Sequence, residues 1–205
     1  MSPSSSRTTR EPGAGRVIAG SARGIRLVAS AEGVRPFGDR LKQALFAILE
    51  PELRGQAFLD LFAGSGAGGI EALSRGATSA TFVESDGRAI GDLERNLAAS
   101  HLAGNRAAVV RADALAWLSA AAPASPYRVA VVDPPYDRPD LLAGALGGLA
   151  ASGPGKIVAR EGIVVAKHPS RTPPAARIGL LRSVRERRFG ESALTFYRWS
   201  DGEAG

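Results

Sequence analysis

The residues able to do chemistry lie in two short stretches. The first is LDLFAGSGAGGIEAL at 59–73, where Gly64, Gly66 and Gly69 satisfy G-x-G-x-x-G directly after an apolar run. Glycines there let the backbone turn tightly and approach a ligand with no Cβ in the way. Twenty residues after Gly64, Glu84 closes the next apolar run, a carboxylate placed to accept hydrogen bonds from both hydroxyls of a ribose. The pattern points to an adenosine-containing cofactor and leaves NAD and S-adenosylmethionine both open. Each such glycine weakens regular structure by about 0.5–1 kcal/mol, and the sequence shows no packing reason for them. Two acids favour S-adenosylmethionine. Asp60 is placed to meet an ammonium and would repel a pyrophosphate. Asp113 ends a third apolar run, where it can meet an adenine edge or cap the following helix.

The second stretch is VAVVDPPYDRP at 129–139. Consecutive prolines fix φ and remove two backbone N–H groups. The carbonyls of Asp133 and Pro134 are then held outward at the end of a strand, the edge where open α/β sheets bind ligands. A carboxylate and a fixed carbonyl can accept both hydrogens of one exocyclic amine and hold its lone pair toward an electrophilic methyl. Tyr136 offers a face for a base, worth about 1–3 kcal/mol per stacked base. The competing reading is a Pro-Pro turn with a core tyrosine.

The elements that position these residues alternate. Strands are expected at 57–62, 79–85, 107–113, 127–133 and 161–167, with helices at 70–76, 88–102, 114–121 and after Pro139. Strand–helix units of this length imply a doubly wound parallel sheet. Residues 16–28 read as two short strands around a Gly-containing turn. A helix begins at Asp39, with Leu41, Leu45, Ile48 and Leu49 at helical spacing, and is expected to stop at Pro51. Near the end, LLRSVRERRFGESALTFYRW reads as two antiparallel strands around Phe189-Gly190-Glu191. Residues 1–15 read as a disordered tail, 16–55 as a hairpin-plus-helix extension, and 56–200 as the catalytic domain. Trp117 reads as core, His101 as a surface or packing residue, and His168, beside Lys167 and Arg171, as a candidate anion contact.

Composition narrows the classes. The chain has 205 residues and no cysteine, which excludes disulfides, thiolate metal sites and a cysteine nucleophile. Two histidines exclude a multi-histidine metal cage, and no metal is expected. No apolar run approaches the ~20 residues needed to cross a membrane, so a cytoplasmic protein is expected. Net charge is +6, distributed as +4 over residues 1–55, −3 over 56–150 and +5 over 151–205. Basic ends flanking an acidic centre suit an anion-binding face, although an arginine-biased composition explains part of the excess.

In order and spacing, RVIAGSARGIRL, RPFGDRLKQALFAIL, FLDLFAGSGAGGIEALSRGA, FVESD, VDPPY and FGESALTFYRW resemble the RsmD family of class I S-adenosylmethionine-dependent 16S rRNA guanine-N2 methyltransferases, over about residues 16–199. The resemblance implies a Rossmann-like α/β fold: a seven-stranded, mostly parallel sheet with a C-terminal antiparallel hairpin, preceded by an N-terminal β-hairpin and helix. It implies a cofactor set of Asp60, Phe62, Ala63, Gly64, Gly66, Glu84, Ser85, Asp113 and Ala114, and catalysis by Asp133, Pro134, Pro135 and Tyr136. Arg23, Arg35 and Arg40 would contact substrate RNA, with ribosomal RNA or the small subunit as partner and a monomeric enzyme. Three places depart from the family pattern. Phe37-Gly38 replaces Thr-Thr, Ala166-Lys167-His168 stands where a glutamate is common, and Phe189-Gly190-Glu191 replaces Tyr-Gly-Asp. Rival readings are a DNA or RNA adenine-N6 or cytosine-N4 methyltransferase, a non-catalytic RNA-binding module, and a nucleotide-dependent dehydrogenase that Asp133-Pro134-Pro135-Tyr136 does not fit.

Overall fold

The computed structural model describes residues 13–29 and 38–200. The strands are β1 (Gly13–Arg16), β2 (Arg26–Val28), β3 (Ala57–Leu61), β4 (Ser79–Glu84), β5 (Ala107–Arg111), β6 (Tyr127–Val132), β7 (Val158–Pro169), β8 (Arg177–Ile178), β9 (Leu181–Phe189) and β10 (Ser192–Trp199). The helices are α1 (Asp39–Leu53), α2 (Ala67–Ser74), α3 (Gly87–Ala99), α4 (Ala114–Ala120) and α5 (Pro139–Ser152). β1 and β2 form a separate antiparallel hairpin. The other eight strands form one sheet in the order β5-β4-β3-β6-β7-β10-β9-β8. The first five strands in that order pair in parallel and the last three antiparallel.

The main sheet therefore has eight strands where seven are expected. The extra one, β8, has two residues and pairs only with the start of β9. β3 and β6 are buried on both faces, as parallel central strands must be. Phe58, Val129 and Val131 face a core shared with α1, α2, α3 and the hairpin. Leu59, Leu61, Ala130 and Val132 face the opposite core, under α4 and α5.

Three boundaries differ from the sequence reading. The hairpin begins at Gly13, inside the expected tail, because Gly13 pairs with Val28. Pro51 does not stop α1, which continues to Leu53. Its ring removes one intrahelical bond in the last turns, and burial of Leu49 and Leu53 holds the chain helical past it. β7 extends to Val158–Pro169 because β10 pairs along it from Val164 to Pro169.

The hairpin is fastened to α2 and α3 by buried polar groups. The Glu71 carboxylate, fully buried, accepts from Ile18 N (2.7 Å), Ala19 N (3.1 Å) and Arg75 Nε (2.7 Å). The Ser74 hydroxyl accepts from Ala22 N and donates to the Ala19 carbonyl. Asn96 accepts from Val28 N at 2.8 Å and donates to the carbonyls of Val28 and Ser65, both at 2.9 Å. One amide thus ties the hairpin to the glycine loop.

Candidate active site

Along the sheet, β3, β4 and β5 run one way from the centre and β6 and β7 the other. The switch falls between β3 and β6, and in such sheets ligands sit at the strands' carboxyl ends there. Both chemical motifs emerge at that point. Asp133 N donates to the Leu61 carbonyl at 3.3 Å, which seats the start of the DPPY turn against the start of the glycine loop.

The glycine loop leaves β3 through Phe62, a non-glycine at φ 61°. Such a conformation costs on the order of 1–3 kcal/mol and recurs where ligands are held. Gly66 has φ 80° and caps α2 without a side chain. A Cβ there would meet Leu93 Cδ1 at 2.1 Å, and one on Gly69 would meet Phe82 Cε1 at 2.2 Å. These glycines thus have a packing reason that the sequence did not show: α2 lies too close to α3 and β4 for side chains. Glu84 accepts from Gly64 N (2.8 Å), Ser85 N (2.8 Å) and Asp86 N (2.9 Å), so the end of β4 braces the loop. Asp60 is buried and accepts from Gly69 N at 2.7 Å, capping α2 from the neighbouring strand. Burial pushes its carboxyl up to about 8, against the Gly69 bond and with Asp133 and Glu84 adding to the rise. Asp113 accepts from Ala116 N at 2.8 Å as the N-cap of α4, whose first residue, Ala114, is buried.

In the DPPY turn Pro134 is buried, and Arg138 N donates to the Pro135 carbonyl to close the bend. The Tyr136 hydroxyl donates to Ser192 Oγ at 2.8 Å, fixing the ring against the start of β10. Lys167 on β7 donates from Nζ to both oxygens of Asp133, at 2.7 and 2.8 Å, and lies 5.2 Å from the Tyr136 ring centroid. Burial raises the Asp133 carboxyl above its ordinary range, and the Lys167 ammonium pulls it back. On the Lys167 side of this pair lies a cavity of about 600 Å³, bordered by Arg40, Tyr136, Lys167, Arg188, Phe189 and Ser192. Its border carries two half-buried aromatic residues, Tyr136 and Phe189, and two exposed arginines, Arg40 and Arg188.

Arg40 reaches the cavity. Arg23 does not join it: Ser21 and Ala22, next to it in the hairpin turn, bond to Ser74 at the far end of α2. That is one eight-residue helix, about 12 Å, from the glycine loop. Arg35 lies outside the described residues. His168 makes no anion contact of the kind considered from sequence. It is buried, with Nε2 2.8 Å from Thr195 Oγ1 and Nδ1 2.8 Å from the Pro169 carbonyl, and burial lowers its basicity. His101 is exposed at φ 54°, ending α3, and Trp117 is half-buried against α4's core. Lys167 and Ser192 are the site residues that sequence reasoning missed, whereas Arg188 belongs to the Arg185–Arg188 run, which reads from sequence as either a solvated strand face or an RNA phosphate contact. Lys167 carried one signal: the chain has only three lysines against 23 arginines, and Lys42 and Lys167 are both buried. Among the described residues, no three His, Cys, Asp or Glu side chains cluster to hold a metal ion, and no helix is long and apolar enough to cross a membrane.

A doubly wound sheet with a glycine loop and a DPPY turn meeting at its switch point defines a class I methyltransferase. Residues 15–198 match the family model described as Conserved hypothetical protein 95, and the chain belongs to this family, the RsmD family of the sequence reading. It is 36% identical over 185 residues to the "Putative rRNA methyltransferase YlbH" of Bacillus subtilis, covering 89% of this chain and 98% of that protein. It is 42% identical over 124 residues to the Ribosomal RNA small subunit methyltransferase D of Escherichia coli K12, covering 60% of this chain and 61% of that protein. A solved structure of a Thermus thermophilus protein, described as hypothetical, superposes with a TM-score of 0.76 at 36% identity, covering 89% and 98% of the two chains.

Proposed function

We propose that this methyltransferase transfers a methyl group from S-adenosylmethionine to the exocyclic 2-amino group of a guanine in the 16S rRNA of the small ribosomal subunit. The observation that carries the reading is the meeting of Asp133 with the glycine loop at the β3/β6 switch, with Lys167 joining Asp133 to a cavity bordered by Tyr136, Phe189, Arg40 and Arg188. The relatives named as rRNA methyltransferases support RNA as the substrate.

The residues fit the cofactor. Gly64 and Gly66 let the loop turn tightly against α3, and the Glu84 carboxylate, already aligned by three N–H donors, faces the loop. Gly64, Gly66 and Glu84 would hold the adenosine half, with Phe62, Ala63, Ser85, Asp113 and Ala114 around it. Asp60, deep behind the loop and protonated in the free protein, would oppose the ammonium once the bound cation draws off its proton. When bound, S-adenosylmethionine supplies an electrophilic methyl at its sulfonium.

On the acceptor side, one Asp133 oxygen and the Pro134 carbonyl accept the two hydrogens of the amine. Its lone pair is thereby turned out of conjugation with the base. Tyr136, tethered to Ser192, packs against the base. The methylated nitrogen carries a very acidic proton, which passes to Asp133 or water, so no strong base is needed beforehand. A paired amine is out of reach, so the RNA must present the base splayed or flipped. Arg40 and Arg188 are set to meet phosphates at the cavity mouth. The protein is taken to act as a monomer in the cytoplasm, and no metal takes part. The test is transfer of tritiated methyl to small-subunit RNA: wild type labels it and Asp133→Ala does not, while Asp133→Ala still binds the cofactor. Full activity of Asp133→Ala would reject the assignment.

A further inference from the structure

Lys167 meets both oxygens of Asp133 from β7, 34 positions away in sequence, with its side chain 7% exposed and that of Asp133 17% exposed. In a chain with 23 arginines, a buried lysine at this point is a placed compact charge. An ammonium bridging both oxygens favours the carboxylate over the neutral acid.

The protonation state of Asp133 decides which base edge it can read. A carboxylate only accepts, whereas a protonated carboxyl donates from one oxygen and accepts at the other. Guanine presents two adjacent donors, the N1–H and one N2–H, which suit a carboxylate with both oxygens accepting. The second N2–H is left for the Pro134 carbonyl. Adenine and cytosine present an amine beside a ring-nitrogen lone pair, which faces a carboxylate oxygen with repulsion and suits the protonated acid. We propose that Lys167 is a positioning residue of this chain, in a place where a glutamate is common in the family: it holds Asp133 as the carboxylate that accepts from guanine N1–H and N2–H. This rests on the guanine-N2 reading above.

Among the described residues, the charged and titratable groups around Asp133 are Lys167 on β7, Asp60 on β3 and Tyr136 on its own turn. Asp39 and Arg40 of α1 and Arg188 of β9 border the shared cavity. Lys167 is the one that bonds to both Asp133 oxygens, so its removal acts first on that carboxyl.

The experiment measures kcat/KM for methyl transfer to undermethylated small ribosomal subunits, for wild type, Lys167→Met and Lys167→Arg, from about pH 6 to about pH 9. Wild type is expected to be flat within about threefold, and Lys167→Met to be about tenfold or more weaker near neutrality and to recover as pH rises. Lys167→Arg keeps the flat profile at a lower level, because it keeps the charge. A Lys167→Met loss equal at every pH, or no loss, overturns the proposal. Carbon NMR of aspartate-labelled wild type, with Asp133→Asn for assignment, stands whether or not the variants fold. An Asp133 carboxyl that does not titrate between about pH 6 and about pH 8 supports the proposal, and one that titrates there overturns it. Failure of the guanine reading is separate: it appears as wild-type label in a different nucleoside.

Discussion

Glu71→Ala tests whether the N-terminal hairpin is held to the methyltransferase core as the structure indicates. Glu71 sits on α2 with no exposed surface and accepts from Ile18 N, Ala19 N and Arg75 Nε, with Lys42 Nζ 3.9 Å away. Bonds to a charged acceptor contribute about 1.5–3 kcal/mol each. Removing one partner of a buried ion pair costs about 3–5 kcal/mol, because the remaining charge is left uncompensated. Alanine leaves two part-buried N–H donors unmatched and removes the buried counter-charge of Arg75 and Lys42, so we expect about 4 kcal/mol, a large share of a total stability of about 5–15 kcal/mol. Glu71→Gln keeps one acceptor oxygen and should lose about half as much. Guanidinium unfolding followed by circular dichroism gives the loss. Two of the three bonded groups belong to the segment after β1, so the hairpin should open before the sheet, and trypsin should cut first at Arg23 or Arg26. Cofactor binding should survive better than methyl transfer to RNA. A stability loss under about 1 kcal/mol would refute the reasoning.

Three further outcomes follow from the geometry. Asp60 titrates near 3.8 unfolded and about 8 folded, so the folded state holds its proton over that window. Stability present below the lower value drains as pH rises through the upper one, and Asp60→Asn should remove that slope in urea midpoints taken across pH; parallel curves would count against a buried, neutral Asp60. Gly69→Ala must displace Phe82 from 2.2 Å and should cost about 1–3 kcal/mol, seen as a lowered melting temperature, and an unchanged one would contradict the close approach of α2 to β4. Arg40→Ala and Arg188→Ala should each weaken RNA binding and reduce the slope of log affinity on log salt by about 0.7, whereas an unchanged slope would remove that arginine from the phosphate contacts.

The parts of the site legible in the sequence are those written contiguously. The glycine loop, Glu84 closing the next strand and Asp133-Pro134-Pro135-Tyr136 each carry their geometry locally, and the alternation of strands and helices places them on one sheet edge. What the sequence did not show depends on distant partners. Lys167 faces Asp133 only because β7 pairs beside β6, and Arg188 reaches the cavity only because β9 folds back on β10. The glycines read as ligand-binding alone also serve packing against Leu93 and Phe82, and Asp60 and Asp113 are helix caps as well as candidate ligands. The hairpin start and the continuation of α1 past Pro51 were set by Val28 and by burial of Leu53, neither visible as a local pattern.

The central claim is the identity of the acceptor atom. Small ribosomal subunits are incubated with the protein and tritiated S-adenosylmethionine, the RNA is digested to nucleosides, and the label is resolved by chromatography. The account predicts label in N2-methylguanosine, and label confined to N6-methyladenosine or to a methylated cytosine would contradict it.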